Sequence, residues 1–180
     1  MNQFELWLFY ILKVDFFQKN FNKNFLQNNL NTIVISTTVN DLGQNKQLLL
    51  YTICVLKILT SQKPTLCKTK KAVSFFKIKK NMVIGAKVSL RKKSMYDFLN
   101  VFIHLALPKI NNFKKAKINS SGNVIFCIKD STILTALGLN SLNFPDIKIS
   151  VALVFNKQCE SASKCLLSAF QIPYPSENKL

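Results

Sequence analysis

His104 is the only histidine in the 180-residue sequence, and it stands in the apolar segment 98–107. A nucleophilic site needs a Ser, Cys or Thr beside a base that a third group orients. The spacing of Cys54 and His104 is compatible with a pair, but no local motif supports one. The eight carboxylates are scattered along the chain, so no paired acid and base stands out. Neither GxGxxG nor GxxxxGK[ST] occurs, and a zinc site built on several histidines cannot be assembled from one. The five cysteines, Cys54, Cys67, Cys127, Cys159 and Cys165, form no CxxC pair. Their odd number suits a reduced compartment, and they are expected to serve as small buried hydrophobes. His104 is expected to be a partly buried or groove-facing structural residue. The chain is therefore read as no enzyme, with no metal and no cofactor.

The chemistry that the sequence does offer is that of cations. There are 25 Lys plus Arg against 8 Asp plus Glu, a formal net charge of +17. Residues 1–60 and 121–180 carry only +2 and +1, whereas residues 61–120 hold fifteen basic groups against Asp97 alone. Within 61–93 there are eleven basic residues and no acid. So local an excess repels itself unless an anion neutralises it, which is the footprint of a nucleic-acid binder. The lysines are interleaved with Ser, Thr, Asn and Phe. Ammonium groups supply point charges for phosphates, while hydroxyl and amide groups reach 2′-hydroxyls and base edges. Phe75 and Phe76 lie inside the charge. One is expected to anchor the loop to the core, and an exposed one can stack on an unpaired base.

The elements that must position these groups follow from periodicity. Residues 3–20 read as a helix with Phe4, Trp7, Leu8, Ile11, Leu12 and Val14 on one stripe, followed by an Asn-rich connector. Thr32–Val39 reads as a strand with Ile33, Ile35, Thr37 and Val39 on one face and Val34, Ser36 and Thr38 on the other. A helix over 45–60 buries Leu48, Leu49, Tyr51, Thr52, Val55, Leu56 and Leu59. An extended segment runs from Pro64 to Lys71, and a strand covers Val83–Leu90. Ser94, with Asp97 three residues on, reads as the N-cap of a helix that buries Met95, Phe98, Leu99, Phe102 and Ala106 and ends at Pro108. Strands over 123–129 and 146–155 and a helix over 158–170 complete the chain. With 48% hydrophobic residues there is material for one core. The expected fold is a single α+β domain, a curved antiparallel β-sheet with helices packed on one face. Its parts are 1–30 (helix and connector), 31–113 (first sheet-and-helix half, with the basic segment) and 114–180 (C-terminal strands and helix).

One stretch is dense enough to carry a resemblance. It comprises Ser61-Gln62-Lys63-Pro64, Lys68-x-Lys70-Lys71-x-Val73-x-x-Phe76-Lys77-Ile78 and Ile84-Gly85-x-Lys87-Val88-Ser89-Leu90-Arg91. Met95-Tyr96-x-Phe98-Leu99 and Ala106-Leu107-Pro108-Lys109-Ile110-x-x-Phe113 follow in order. This pattern closely resembles the bacterial-type large-subunit ribosomal protein five family, which binds 5S ribosomal RNA. More loosely, Ile33–Asp41 is similar to that family's first strand and Asp146–Pro173 to its C-terminal strand and helix.

The resemblance implies a place in the central protuberance of the large ribosomal subunit. It implies 5S RNA contacts from Ser36, Gln62 and Ser89, where the family usually has Asn at the first position and Thr at the third. Lys63, Lys68, Lys70, Lys87 and Arg91 join that RNA-binding set. The loop of about 71–81, with Lys71, Ser74, Phe75, Lys77, Lys79, Lys80 and Asn81, corresponds to a family loop that approaches peptidyl-site tRNA. Further partners implied are large-subunit RNA, neighbouring large-subunit proteins and, through an intersubunit bridge, a protein of the small-subunit head. The chain departs from the family at Lys114–Asn123, which is shorter and keeps only Gly122-Asn123 of a Gly/Arg-containing loop, and at 130–145.

Of the basic residues only Arg91 is Arg, and Lys, Asn, Phe and Ile are all abundant. Such a bias towards A/T-rich codons points to an organellar gene, with the mitochondrial matrix ahead of the plastid. No apolar run approaches the roughly 18 residues of a membrane span, and the N-terminus lacks the marks of a signal or transit peptide. A different class of function is a peripheral membrane protein with its basic face on anionic lipid and its N-terminal helix as anchor.

Overall fold

A computed structural model describes residues 14, 30–38, 46–76, 78–109, 116–129, 148–156, 160–170 and 172–173. Its frame is a six-stranded sheet. β1 is Leu30–Thr38, β2 Thr65–Lys68, β3 Val83–Leu90, β4 Lys117–Ile118, β5 Val124–Lys129 and β6 Lys148–Phe155. They lie in the order β2-β3-β1-β6-β5-β4, with every pairing antiparallel. The helices are α1 (Lys46–Thr60), α2 (Lys92–Val101) and α3 (Glu160–Ala169). This is the α+β architecture expected, with β4 as a short strand that periodicity did not reveal, because two residues carry no period.

Alternation along the strands sorts one face into the core. Ile33 of β1 lies between Leu90 of β3 and Leu153 of β6, and Ile35 between Val88 and Val151. On the far side Phe126 pairs with Val151 and Ile128 with Ile149. All of these side chains are buried, as are Val55 and Leu56 of α1, Met95, Phe98 and Leu99 of α2, and Leu166 and Leu167 of α3. Cross-strand β-branched and aromatic neighbours of this kind stabilise a sheet face, and the helices remove it from water. Phe102 stacks on Phe98 at 5.9 Å and on Phe126 at 5.2 Å, tying α2 to the second half of the sheet.

Two junctions differ from the sequence reading. Ser94 is not the N-cap of α2: the helix begins at Lys92 with Arg91 in the cap position, and no side chain caps it. Lys92 takes a left-handed φ of 51°, which turns the chain out of β3 so sharply that the helix starts before Ser94 is reached. Nor does Pro108 end the helix at once. After Val101 the path widens into a π turn, Phe102–Ala106, then tightens into a 3₁₀ turn, Leu107–Lys109. The Leu107 N–H donates to the Phe102 carbonyl, and the wider turn makes room for the proline ring that an α-helix would exclude.

The cysteines also depart from expectation. Cys54 and Cys127 are exposed, Cys67 and Cys165 are half-buried, and all four are free thiols. Cys54 falls on the outward side of α1, while Cys67 and Cys127 fall on the uncovered side of the sheet, so alternation decided against burial. His104 is likewise exposed, on the π turn. The N-terminal helix (apart from Val14), the connector, Cys159 and 130–145 lie outside the described residues.

Candidate nucleic-acid interface

The strand registers build the face opposite the helices. Ser36 lies between Lys87 and Ser150; beyond Lys87 comes Thr65, and beyond Ser150 comes Cys127. One row therefore crosses five strands as Thr65, Lys87, Ser36, Ser150 and Cys127, roughly 19 Å from end to end at the usual strand spacing. The neighbouring row is Ser89, Val34, Ala152, Ile125 and Lys117. Thr65 donates its hydroxyl to the Lys87 carbonyl (2.9 Å), and Cys127 Sγ lies 3.5 Å from Ser150 Oγ. Small hydroxyl-bearing side chains thus occupy the centre, with lysines around them.

This arrangement brings Ser36, Lys87 and Ser89 onto one surface, as alternation predicts. Gly85 permits it, since it stands opposite Thr38 and a Cβ there would collide with the Thr37 carbonyl oxygen. Lys68 reaches the same edge through an irregularity in register after Cys67, which sets it opposite Val83. Lys63, Lys70 and Arg91 are exposed at the flanks. Gln62 sits in the turn from α1 to β2. There Ser61 adopts a left-handed φ of 53°, and the Gln62 N–H donates to Thr60 Oγ1 (3.3 Å). Thr60 Oγ1 in turn donates to the Leu56 carbonyl (2.6 Å), so the last turn of α1 holds the Gln62 backbone in place.

The β2–β3 connection is an ordered hairpin extension. Thr69 anchors it: its N–H donates to the Met82 carbonyl (2.9 Å), its hydroxyl donates to the Lys79 carbonyl (2.6 Å), and it accepts from the Met82 N–H (3.0 Å). Val73 and Ile78 exchange both backbone hydrogen bonds further out, and Asn81 turns the chain with a φ of 65°. The tip is a 3₁₀ turn, Ser74–Phe76, from which Phe75 projects 87% exposed. Lys71, Ser74, Lys79, Lys80 and Asn81 are exposed around it, while Lys77 lies outside the described residues, as does the Phe76 side chain.

Charge completes the description. Among the described residues the only carboxylates are Asp97 and Glu160, on α2 and α3 and therefore on the helical side. No group of three or more His, Cys, Asp or Glu that could hold a metal ion occurs among the described residues. No described helix is long and apolar enough to cross a membrane. A groove of about 290 Å³ between the end of α1 and α2 is lined by Ile58, Val101, Phe102 and Leu105. It is apolar, unlike the sheet face. Ser150, Lys148 and Lys117 on the open face were not singled out by sequence, since β6 and β4 lie outside the basic segment.

A cationic, carboxylate-free sheet face of short polar side chains, backed by helices, has the form of a module that receives a polyanion. Comparison with known proteins gives the family. The family described as the C-terminus of the ribosomal protein uL5 family matches residues 83–174. Large ribosomal subunit protein uL5 of Fusobacterium nucleatum subsp. nucleatum is 32% identical over 148 residues, 81% of this chain and 80% of its own. That of Borreliella afzelii is 35% identical over 148 residues, 81% of each chain. Large ribosomal subunit protein uL5m of Reclinomonas americana is 31% identical over 168 residues, 91% of this chain and 92% of its own. The chain belongs to the uL5 family of large-subunit ribosomal proteins. Members of that family are ribosomal proteins and not enzymes, in agreement with the sequence reading.

Proposed function

We propose that this protein is a structural constituent of a mitochondrial large ribosomal subunit, where its open sheet face binds 5S ribosomal RNA or its structural equivalent in the central protuberance. The observation that carries the reading is the gathering of Ser36, Lys87 and Ser89 on one carboxylate-free face with Gln62 and Lys68 at its edge. Lysines neutralise phosphates, and hydroxyls and the Gln62 amide take 2′-hydroxyls or base edges. The β2–β3 hairpin, projecting Phe75 among Lys71, Lys79 and Lys80, is the part that meets peptidyl-site tRNA. Its contacts are positional, made to backbone phosphates. Neighbouring large-subunit proteins and the small-subunit head are further partners. The mitochondrial assignment is supported by the A/T-rich residue usage and by the uL5m relative.

Gradient fractionation of the native organelle is the direct test. The protein co-sediments with large subunits at low salt and is released with the central-protuberance RNA on partial unfolding of the subunit. A protein that stays at the top of the gradient contradicts the reading.

A further inference from the structure

We propose that RNA contact extends beyond β1 and β3, and that Ser150 and Lys148 of β6, together with Lys117 of β4, form a second RNA-binding margin on the same face. This rests on the reading of the open face as an RNA site. The registers carry the argument. Ser150 is the direct neighbour of Ser36, so the hydroxyl row does not stop at the strand whose chemistry the basic segment supplies. Lys148 lies two residues along β6 from Ser150 and on the same side. Lys117, through its pairing with Ile125, ends the row that begins at Ser89. Both lysines are exposed.

Position excludes the alternative that these lysines serve the same phosphates as the hairpin. Lys87 and Lys148 stand on strands two inter-strand steps apart, roughly 10 Å, and Lys117 two strands further. One backbone run along β2 and β3 does not reach them. Between the two margins the side chains are short: Ser36, Ser150, Val34 and Ala152. A flat, low centre with cations on both sides suits a wide, shallow groove bordered by two phosphate strands, as the A-form minor groove is, with 2′-hydroxyls presented to the two serines. No described carboxylate shares the face, so its lysines are left for phosphate.

The test is binding of a transcribed bacterial 5S ribosomal RNA to the full chain across 50–200 mM salt, with hydroxyl-radical footprinting of the RNA. The Lys117→Ala/Lys148→Ala variant is compared with Lys68→Ala/Lys87→Ala. Each removes two phosphate contacts, so each lowers the salt slope by about 1.8, and the loss of affinity over that salt range becomes about 12-fold smaller. The footprint of the wild type covers riboses on two strands, and each variant loses one of them. If the Lys117/Lys148 variant keeps the wild-type slope and footprint while Lys68/Lys87 does not, the second margin is wrong and the 5S RNA reading stands. If neither variant changes a salt-independent affinity, the RNA reading itself fails. Thermal melts establish folding, and the single variants Lys117→Gln and Lys148→Gln carry the comparison should either double variant unfold.

Discussion

Gly85 packs its bare Cα against the backbone of Thr37, so closely that a Cβ at this position would collide with the Thr37 carbonyl oxygen. The contact lies at the seam between β3 and β1, two residues along β3 from Lys87 and one along β1 from Ser36. Gly85→Ala is expected to force the two strands apart and to destabilise the fold by about 1–3 kcal/mol, the usual cost of overpacking. Urea denaturation followed by circular dichroism measures it. The folded fraction should also bind RNA more weakly, because Ser36 and Lys87 move with the strands that carry them.

Gln62 and the lysines should fail in different ways. Gln62→Ala removes a neutral hydrogen-bonding group, so RNA affinity should fall about 3–10-fold, corresponding to one net hydrogen bond. The salt slope should stay as it is. Lys63→Ala or Lys70→Ala should instead lower that slope by about 0.9 each where the lysine meets a phosphate. Filter binding at several salt concentrations separates the two behaviours, and equal slopes for all three variants would contradict the division of roles.

The hairpin gives a third expectation. Thr69→Val removes a hydroxyl that both donates to Lys79 and accepts from Met82. Each bond is worth about 0.5–1.5 kcal/mol, so amide exchange at Ile78, Asn81 and Met82 should quicken about tenfold while global stability changes little. Phe75→Ala, at a side chain 87% exposed, should alter stability by less than about 0.5 kcal/mol. It should nonetheless weaken tRNA contact if the ring stacks there, by about 1–3 kcal/mol. Hydrogen exchange and tRNA crosslinking to the assembled subunit read these two effects.

Ser163 tests the far side of the domain. Its fully buried hydroxyl donates to the Gly122 carbonyl (2.6 Å), fastening α3 to the β4–β5 turn, where Gly122 takes a φ of 69°. Ser163→Ala leaves that carbonyl without this partner and should cost about 1–3 kcal/mol, measured by thermal and chemical denaturation. Since Lys117 sits on the strand that the turn holds, the variant should also blunt RNA protection at the second margin.

Much of this protein was already determined by sequence alone. Strict alternation in Thr32–Thr38 and Val83–Leu90 set Ile33, Ile35, Val88 and Leu90 against the core and turned Ser36, Lys87 and Ser89 the other way. Period two leaves a strand no other choice once one face is apolar. The clustering of cations in 61–93 likewise marked the partner's charge without any coordinates. Tertiary structure decided what local pattern does not encode. That Ser36 has Ser150 for a neighbour follows from β6 pairing with β1 across more than a hundred residues of chain, a register set by non-local packing. The same pairing carried Cys127 to the open face, while the left-handed turn at Lys92 moved the start of α2 ahead of Ser94. Where the charge lies could be read from the residues in order; which hydroxyls stand beside it depended on which strands meet.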